Sequence, residues 1–450
     1  MTRREFAAAA AGATLARGAG KRPNIVLFLA DDLGWADVSC FGSRDIRTPN
    51  VDAMARGGVR FPRYYCNAPE CTPTRTALLT GRYQQRVGGM ECAIGVGNVG
   101  RYDDAEWLQK RGELGLPATE TTFAKILRRS GYDTACFGKW HLGYSEKFRP
   151  SQHGFDEYVA ILGGNADYFT HREEDGTLTL YKNDKPLDRK GYATDIFADE
   201  AIAWLKRRGG KPFFLYVPFT APHTPIQDPD GFDSKTGTAP VQQKNRKIYA
   251  KMVERLDARM GDVLHQLRAM GQEENTIVLF LSDNGGDPNG DNGPLRGRKS
   301  SLWEGGIRVP LVMRWPGHLP EDRTNTQVTL SMDLAPTLLH AAAVPAPSGV
   351  RFDGMDVLDI AAGKREPQKR TVFWRYKRMG NVRKAVREGD VKLVIDNGEE
   401  ELHDLAHDER EEHNLLPGAA GDAARLKKLL AAWEVDVMAP RLRPFRPGPG

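Results

Sequence analysis

Two apolar runs, some 250 residues apart, end in the same way. "NIVLFLADD" begins at Asn24 and "TIVLFLSDNGG" at Thr276. Each is short, rich in β-branched and aromatic residues, and apolar throughout. Such a run reads as a strand buried on both faces of a sheet. A sheet of that kind needs helices on both sides to cover it. "YDTACFGKWH", "KPFFLYVPFTAPHTP" and "IRVPLVMRWPG" supply three more strands. Helical patterns lie between them. "TTFAKILRRSG" spaces Phe123, Ile126 and Leu127 on one face and stops at Gly131. "TDIFADEAIAWLKRRGG" spaces Phe197, Ala201, Trp204 and Leu205 and stops at Gly209. The longest pattern begins near Gln243, runs its stripe from Tyr249 to Leu267 and stops at Gly271.

Strands alternating with helices predict an α/β fold with a large, mostly parallel central sheet. In such folds ligands bind beyond the carboxyl ends of the strands. The polar clusters here follow the strands. Asp31 with Asp32, Lys139 with His141, His223, and Asp283 with Asn284 are therefore expected along one edge. A chain of 450 residues has room for one large domain and a smaller one. Composition shifts at "AVPAPSGVRFDG", residues 343–354. After it, "TVFWRYK", "VRKAVREGD" and "VKLVIDN" read as short antiparallel strands, and "AARLKKLLAAWEVDV" as a packing helix. The expected organisation is a catalytic domain over 21–345, a C-terminal α+β subdomain over 350–438, and a disordered tail over 439–450.

The first 20 residues pair Arg3 and Arg4 ahead of Phe6 and an Ala-rich stretch. This reads as a twin-arginine export signal, the bland alternative being an Ala-rich leader. It predicts a bacterial protein passed to the export machinery, for a periplasmic or extracellular site. No run of 18 or more apolar residues follows, so no spanning helix is expected. The formal charge of +5 is small and scattered, which argues against a nucleic-acid partner. Five cysteines, Cys40, Cys66, Cys71, Cys92 and Cys136, fall in no Cys/His metal spacing. An exported chain could pair two or four of them, leaving at least one over, with Cys71 the candidate.

The acids Asp31, Asp32 and Asp283, with Asn284, offer hard oxygen ligands without clustered Cys or His. That favours Ca²⁺ or Mg²⁺ over Zn²⁺. Arg75, Lys139, His141, His223 and Lys299 are candidates to hold an oxyanion and move protons. The remaining histidines read as surface or satisfied residues, with His171 held open. Cys71 opens "CTPTRTALLTGR". Cys71 or Thr72 could cap a helix, Pro73 suits its first turn and Gly81 its end. Backbone N–H groups there favour anions and lower a thiol pKa. A thiolate nucleophile is open on those grounds alone, although a hard cation is a poor thiolate partner.

"CTPTRTALLTGR" resembles the sulfatase signature, C-x-P-x-R followed by L-T-G-R. "NIVLFLADDLGWADVSCFG", "GYDTACFGKWHLG", "HGFDEY", "APHTP", "LFLSDNGG", "GRKSSLWEGGIRVP" and "EELHDLAHDEREEHNLL" resemble further motifs of the same family, in the family's order. The likeness is to the arylsulfatase A and N-acetylgalactosamine-6-sulfatase type, and covers nearly the whole chain after residue 20. It implies an alkaline-phosphatase-like fold and a formylglycine (3-oxoalanine) at residue 71, made from cysteine by a formylglycine-generating enzyme. It implies one divalent cation, usually Ca²⁺, held by Asp31, Asp32, Asp283 and Asn284 with help from residue 71. Arg75 and Lys139 would orient the hydrated aldehyde. Lys299 and His223 would bind sulfate and aid the leaving oxygen, and His141 would be the base of the second half-reaction.

That resemblance also implies why the cysteine is changed. One geminal hydroxyl attacks sulfur, and a covalent sulfate ester forms on residue 71. The second hydroxyl then loses its proton, and sulfate is expelled as the aldehyde reforms. A serine or a plain thiol lacks that second hydroxyl. One departure stands out. Relatives can carry a serine in the loop that here reads "LGGNADYF", near Gly164. Asn165, Asp167, Tyr168 and His171 are the candidate sugar contacts around it. The expected substrate is a sulfated carbohydrate or an aryl sulfate. The rival readings are a phosphoester or phosphonate hydrolase on the same fold, and a non-catalytic anion- or glycan-binding protein.

Overall fold

The computed structural model describes residues 21–95 and 101–442. The export-signal reading falls on residues 1–20, outside them. Of the tail, residues 439–442 lie inside and pack: Ala439 is buried and Arg441 donates to the Gly88 carbonyl at 2.6 Å. No helix among the described residues is long and apolar enough to cross a membrane.

The first half of the chain lays down β1 (Asn24–Ala30), β2 (Val59–Arg60), β3 (Tyr64–Tyr65), β4 (Asp133–Lys139), β5 (Glu157–Ile161), β6 (Leu180–Lys182), β7 (Lys185–Pro186) and β8 (Phe213–Pro218). The second adds β9 (Thr276–Ser282), β10 (Leu311–Arg314), β11 (Arg323–Thr324), β12 (Thr329–Leu330), β13 (Thr371–Arg378), β14 (Asn381–Glu388), β15 (Val391–Asp396) and β16 (Glu399–Asp404). Ten of these form one sheet in the order β11-β2-β10-β9-β1-β8-β4-β5-β6-β7. Its middle, β9-β1-β8-β4-β5, is parallel. The outer strands β10 and β6 run antiparallel to their neighbours.

The apolar run of β1 is explained by its two faces. Ile25, Leu27 and Leu29 enter one core, and Val26, Phe28 and Ala30 enter the other. This is the period of two expected of a strand, with both faces dry. Burying one such side chain contributes about 1.5–3 kcal/mol. The helices Ala193–Lys206 and Arg246–Ala269 cover the second face, and Cys71–Thr80 and Phe123–Arg129 cover the first. The three predicted helical stripes therefore lie where burial requires them.

β13 to β16 form a separate antiparallel sheet, with Ala420–Asp436 packed on it. Val372, Trp374 and Ala385 from this sheet join the same core as Leu78. The Trp374 indole donates to the Cys66 carbonyl at 2.9 Å. A buried charge knot also ties this sheet down: Lys392 Nζ lies 2.9 Å from both Glu304 Oε1 and Glu411 Oε1. All five cysteines are free, so neither of the possible disulfides forms; Cys66, Cys71, Cys92 and Cys136 are buried.

Candidate active site

Register brings the acids together. Ala30 of β1 pairs with Ser282 of β9, so the next residues, Asp31 and Asp283, leave the sheet side by side. Lys139 closes β4. His223 follows β8, which lies between β4 and β1. Asp32 turns away from the strand with φ 64°, a left-handed conformation uncommon for a residue with a Cβ. Its N–H donates to Asp283 Oδ1 at 3.3 Å, and Tyr249 donates to its carbonyl at 3.2 Å.

The Cys71–Thr80 helix points its start at these acids, and all ten of its residues are buried. Gly81 ends it with φ 65°, as a left-handed cap requires. The N-cap is Glu70, so neither Cys71 nor Thr72 caps the helix. The Thr72 hydroxyl is used elsewhere: it donates to the His141 carbonyl at 2.9 Å and accepts from Ile94 N–H at 3.2 Å. Cys71 Sγ lies 3.1 Å from Asp31 Oδ1, 3.9 Å from Asp32 Oδ1 and 3.7 Å from Lys139 Nζ.

Each acid faces a base. Arg75 donates through Nε and Nη2 to Asp283 Oδ2 at 3.0 and 2.8 Å, and through Nη1 to the Lys139 carbonyl at 2.6 Å. Lys139 forms an ion pair with Asp31. Lys299 Nζ lies 2.7 Å from Asp32 Oδ2, and His223 Nε2 lies 3.5 Å from the same oxygen. Burial alone would raise the Asp32 carboxyl, but Lys299, His223 and Lys139 together hold it well below its usual range. Asp283 goes the other way, pushed up to about 6 by burial and by Asp31. The Cys71 thiol is pushed well above its ordinary value by burial, Asp283 and Asp31. Burial and the two aspartates thus work against a thiolate at an unmodified Cys71.

The donor set fits a hard cation. Asp31, Asp32, Cys71 and His223 offer ligand atoms within 4.8 Å of one another. Asn284 donates to Asp32 Oδ1 at 2.8 Å and to the Gly285 carbonyl at 3.0 Å, yet its buried Oδ1 has no hydrogen-bond partner. A buried amide oxygen left without a donor is costly unless a cation meets it. Three carboxylates and an amide oxygen are the chemistry of Ca²⁺ or Mg²⁺.

A cavity of about 630 Å³ opens over this floor. Cys71, His141, His223 and Lys299 line it; Arg75 and Lys139 stay behind them, within the protein. His141 is buried with φ 56°, its Nε2 against the Ile94 carbonyl and its Nδ1 without a partner. Of the four candidate sugar contacts, Asn165 lines the cavity. The other three do not. Asp167 spends its carboxylate on Thr238, Gln227 and the N–H groups of Phe169 and Thr170. Tyr168 is buried, its hydroxyl bonded to the Thr220 and His223 carbonyls. His171 is buried with Nε2 on the Gly191 carbonyl. Polar residues in a loop after a strand gave no sign of which were spent on the loop itself. Glu70, Ser300 and an acidic turn at Glu173, Glu174 and Asp175 also line the cavity, and no sequence pattern pointed to them.

The profile described as Sulfatase matches residues 23–344. The chain belongs to the sulfatase family. A second profile, N-sulphoglucosamine sulphohydrolase, C-terminal, matches residues 298–433 of this sulfatase. It is 33% identical to N-acetylgalactosamine-6-sulfatase of Canis lupus familiaris over 407 residues, 86% of this chain and 73% of that one. It is 30% identical to human (Homo sapiens) arylsulfatase G over 400 residues, 79% of this chain and 71% of that one. The crystal structure of Ps i-CgsB in complex with k-i-k-neocarrahexaose superposes with a TM-score of 0.83 at 30% identity, covering 93% and 94% of the two chains. The sulfatase is thus a sulfuric ester hydrolase of alkaline-phosphatase-like fold.

Proposed function

We propose that this sulfatase hydrolyses sulfate esters of carbohydrates, with residue 71 as nucleophile after its oxidation to formylglycine. We assign one divalent cation, Ca²⁺ ahead of Mg²⁺, to Asp31, Asp32, Asp283, Asn284 and residue 71. The observation that carries this reading is the setting of Cys71 Sγ. It sits at a helix start, between two aspartates and a lysine, where burial and the acids disfavour a thiolate. An oxidised, hydrated residue 71 puts oxygen where hard partners already converge. Bound there, the cation supplies Lewis acidity and offsets the carboxylates. Three carboxylates against Arg75, Lys139 and Lys299 leave the floor near neutral, so a divalent cation makes it complementary to an anionic ester.

The chain's own groups divide the work by depth. Arg75 and Lys139, out of reach of the cavity, fix Asp283, Asp31 and residue 71. Lys299 and His223, on the cavity wall, meet the sulfate oxygens and serve the leaving oxygen. His141, across the same cavity, takes the proton whose loss releases sulfate. The names of the relatives, and the neocarrahexaose held by the structural neighbour, support a sugar substrate.

Peptide mass spectrometry across residue 71, on protein from the native host, is expected to find formylglycine. Turnover of aryl sulfate is expected to exceed that of aryl phosphate. A wholly unmodified thiol, or faster phosphate cleavage, overturns the reading.

A further inference from the structure

Glu70 precedes the nucleophile position and is fully buried. Its contacts lead to different parts of the site. Oε2 accepts from Ala93 N–H at 2.6 Å, next to Ile94, whose carbonyl meets His141. Oε1 accepts from Ser300 Oγ at 2.9 Å, from Tyr376 at 2.8 Å and from Arg378. Tyr376 and Arg378 belong to β13 of the C-terminal sheet. Four donors thus converge on one carboxylate, three of them on Oε1.

Ser300 shows what this arrangement holds. It follows Lys299 and has φ 68°, a conformation that a residue with a Cβ keeps only when its surroundings impose it. Every polar group of Ser300 is tied. Its N–H donates to the Pro69 carbonyl at 2.9 Å, its hydroxyl to Glu70, and its carbonyl accepts from Arg383 of β14 at 2.6 Å. The segment 69–70 and the C-terminal sheet thus clamp the residue beside Lys299, whose Nζ meets Asp32.

We propose that Glu70 is a positioning residue through which the C-terminal sheet sets Lys299 and the start of the Cys71 helix. This rests on the reading of the site given above. Glu70→Gln keeps one acceptor oxygen but turns an NH2 donor either on Ala93 N–H or on the Ser300, Tyr376 and Arg378 donors, so one side of the clamp loses its acceptor. Ser300 then relaxes and Lys299 shifts, and a displacement near 1 Å at a reacting group costs about 10²-fold in rate.

The test measures kcat on an aryl sulfate per folded, formylglycine-bearing molecule, using melting temperature and peptide mass spectrometry to count those molecules. Glu70→Gln is expected to lower that kcat by about 10²-fold. Tyr376→Phe, which cuts one tie from the sheet side and leaves the helix untouched, is expected to lower it several-fold. On the Glu70→Gln background Tyr376→Phe is expected to add little, because the two act through one contact. If Glu70→Gln does not fold, Tyr376→Phe alone decides. A normal kcat per competent molecule in the folded variants, with only yield or melting temperature reduced, overturns the proposal and leaves the catalytic reading intact. Absence of turnover in the wild type overturns both.

Discussion

Gly164 stands against the His141 imidazole, and that close approach can be tested. A Cβ placed on Gly164 would lie 2.4 Å from His141 Nε2 and 2.6 Å from Cε1. Ordinary contact begins near 3.4 Å, so the imidazole of a Gly164→Ala variant must retreat by about 1 Å. It has little freedom to do so without losing its place. Nε2 is against the Ile94 carbonyl, and the His141 carbonyl accepts from Thr72. Misplacing a proton-transfer group by that distance costs about 10²-fold, or about 2.7 kcal/mol of barrier. The loss should fall on the second half-reaction, which His141 serves. Stopped-flow mixing with an aryl sulfate is the assay. Gly164→Ala is expected to release about one equivalent of aryl alcohol quickly and then to turn over about 10²-fold more slowly than wild type. Steady-state turnover within twofold of wild type would refute the packing argument. A uniform loss of both phases would refute the role given to His141.

Other expectations follow from different parts of the molecule. Dialysis against a chelator should abolish turnover and lower the melting temperature, because the unpartnered Asn284 Oδ1 and the crowded acids lose their counter-charge. Restoring Ca²⁺ at about 100 times its Kd should return about 2.7 kcal/mol, read by calorimetry. In the C-terminal knot, burial would raise the Glu304 carboxyl, yet Lys392, Arg387 and Arg308 hold it at about 2 against an ordinary 4.5. A depressed carboxyl contributes stability above its unfolded pKa, and that contribution is lost as pH falls from about 4.5 towards 2. Glu411, raised by burial, opposes the trend, so the comparison of wild type with Glu304→Gln isolates it. The melting-temperature gap between the two should close as the medium is acidified through that window.

Much of the site could be read from sequence because strand ends are marked by chemistry. An apolar run has to stop at water or at a ligand, and β1, β4 and β9 each stop at charged residues that the sheet then aligns. Their lateral order could not be read. Nothing in "TIVLFLS" says that it pairs with residues 24–30 rather than with 213–218. The antiparallel β10 carries the same apolar signature as a parallel strand. β16, "EEELHD", hid under its charges because only Leu402 and His403 of its six residues are buried, too few to show a period of two. The cap falls one residue earlier than Cys71 or Thr72, at Glu70, whose side chain is engaged from across the molecule and caps nothing. Asp167 looked like a sugar contact because a polar side chain in a loop looks the same whether it faces a cavity or its own turn.

The burial of the whole Cys71–Thr80 segment has a consequence for how the active protein is made. Sγ of Cys71 has no exposure, and Pro73 and Arg75, beside it, are equally enclosed. On the proposed reading, a separate enzyme that oxidises this thiol would find only the floor of a cavity in the folded protein. The proposed oxidation would then have a deadline, set by the moment the helix is buried. The active fraction of a preparation should reflect a race between two rates, and slowing the folding of the nascent chain should raise it without altering a single residue of the site.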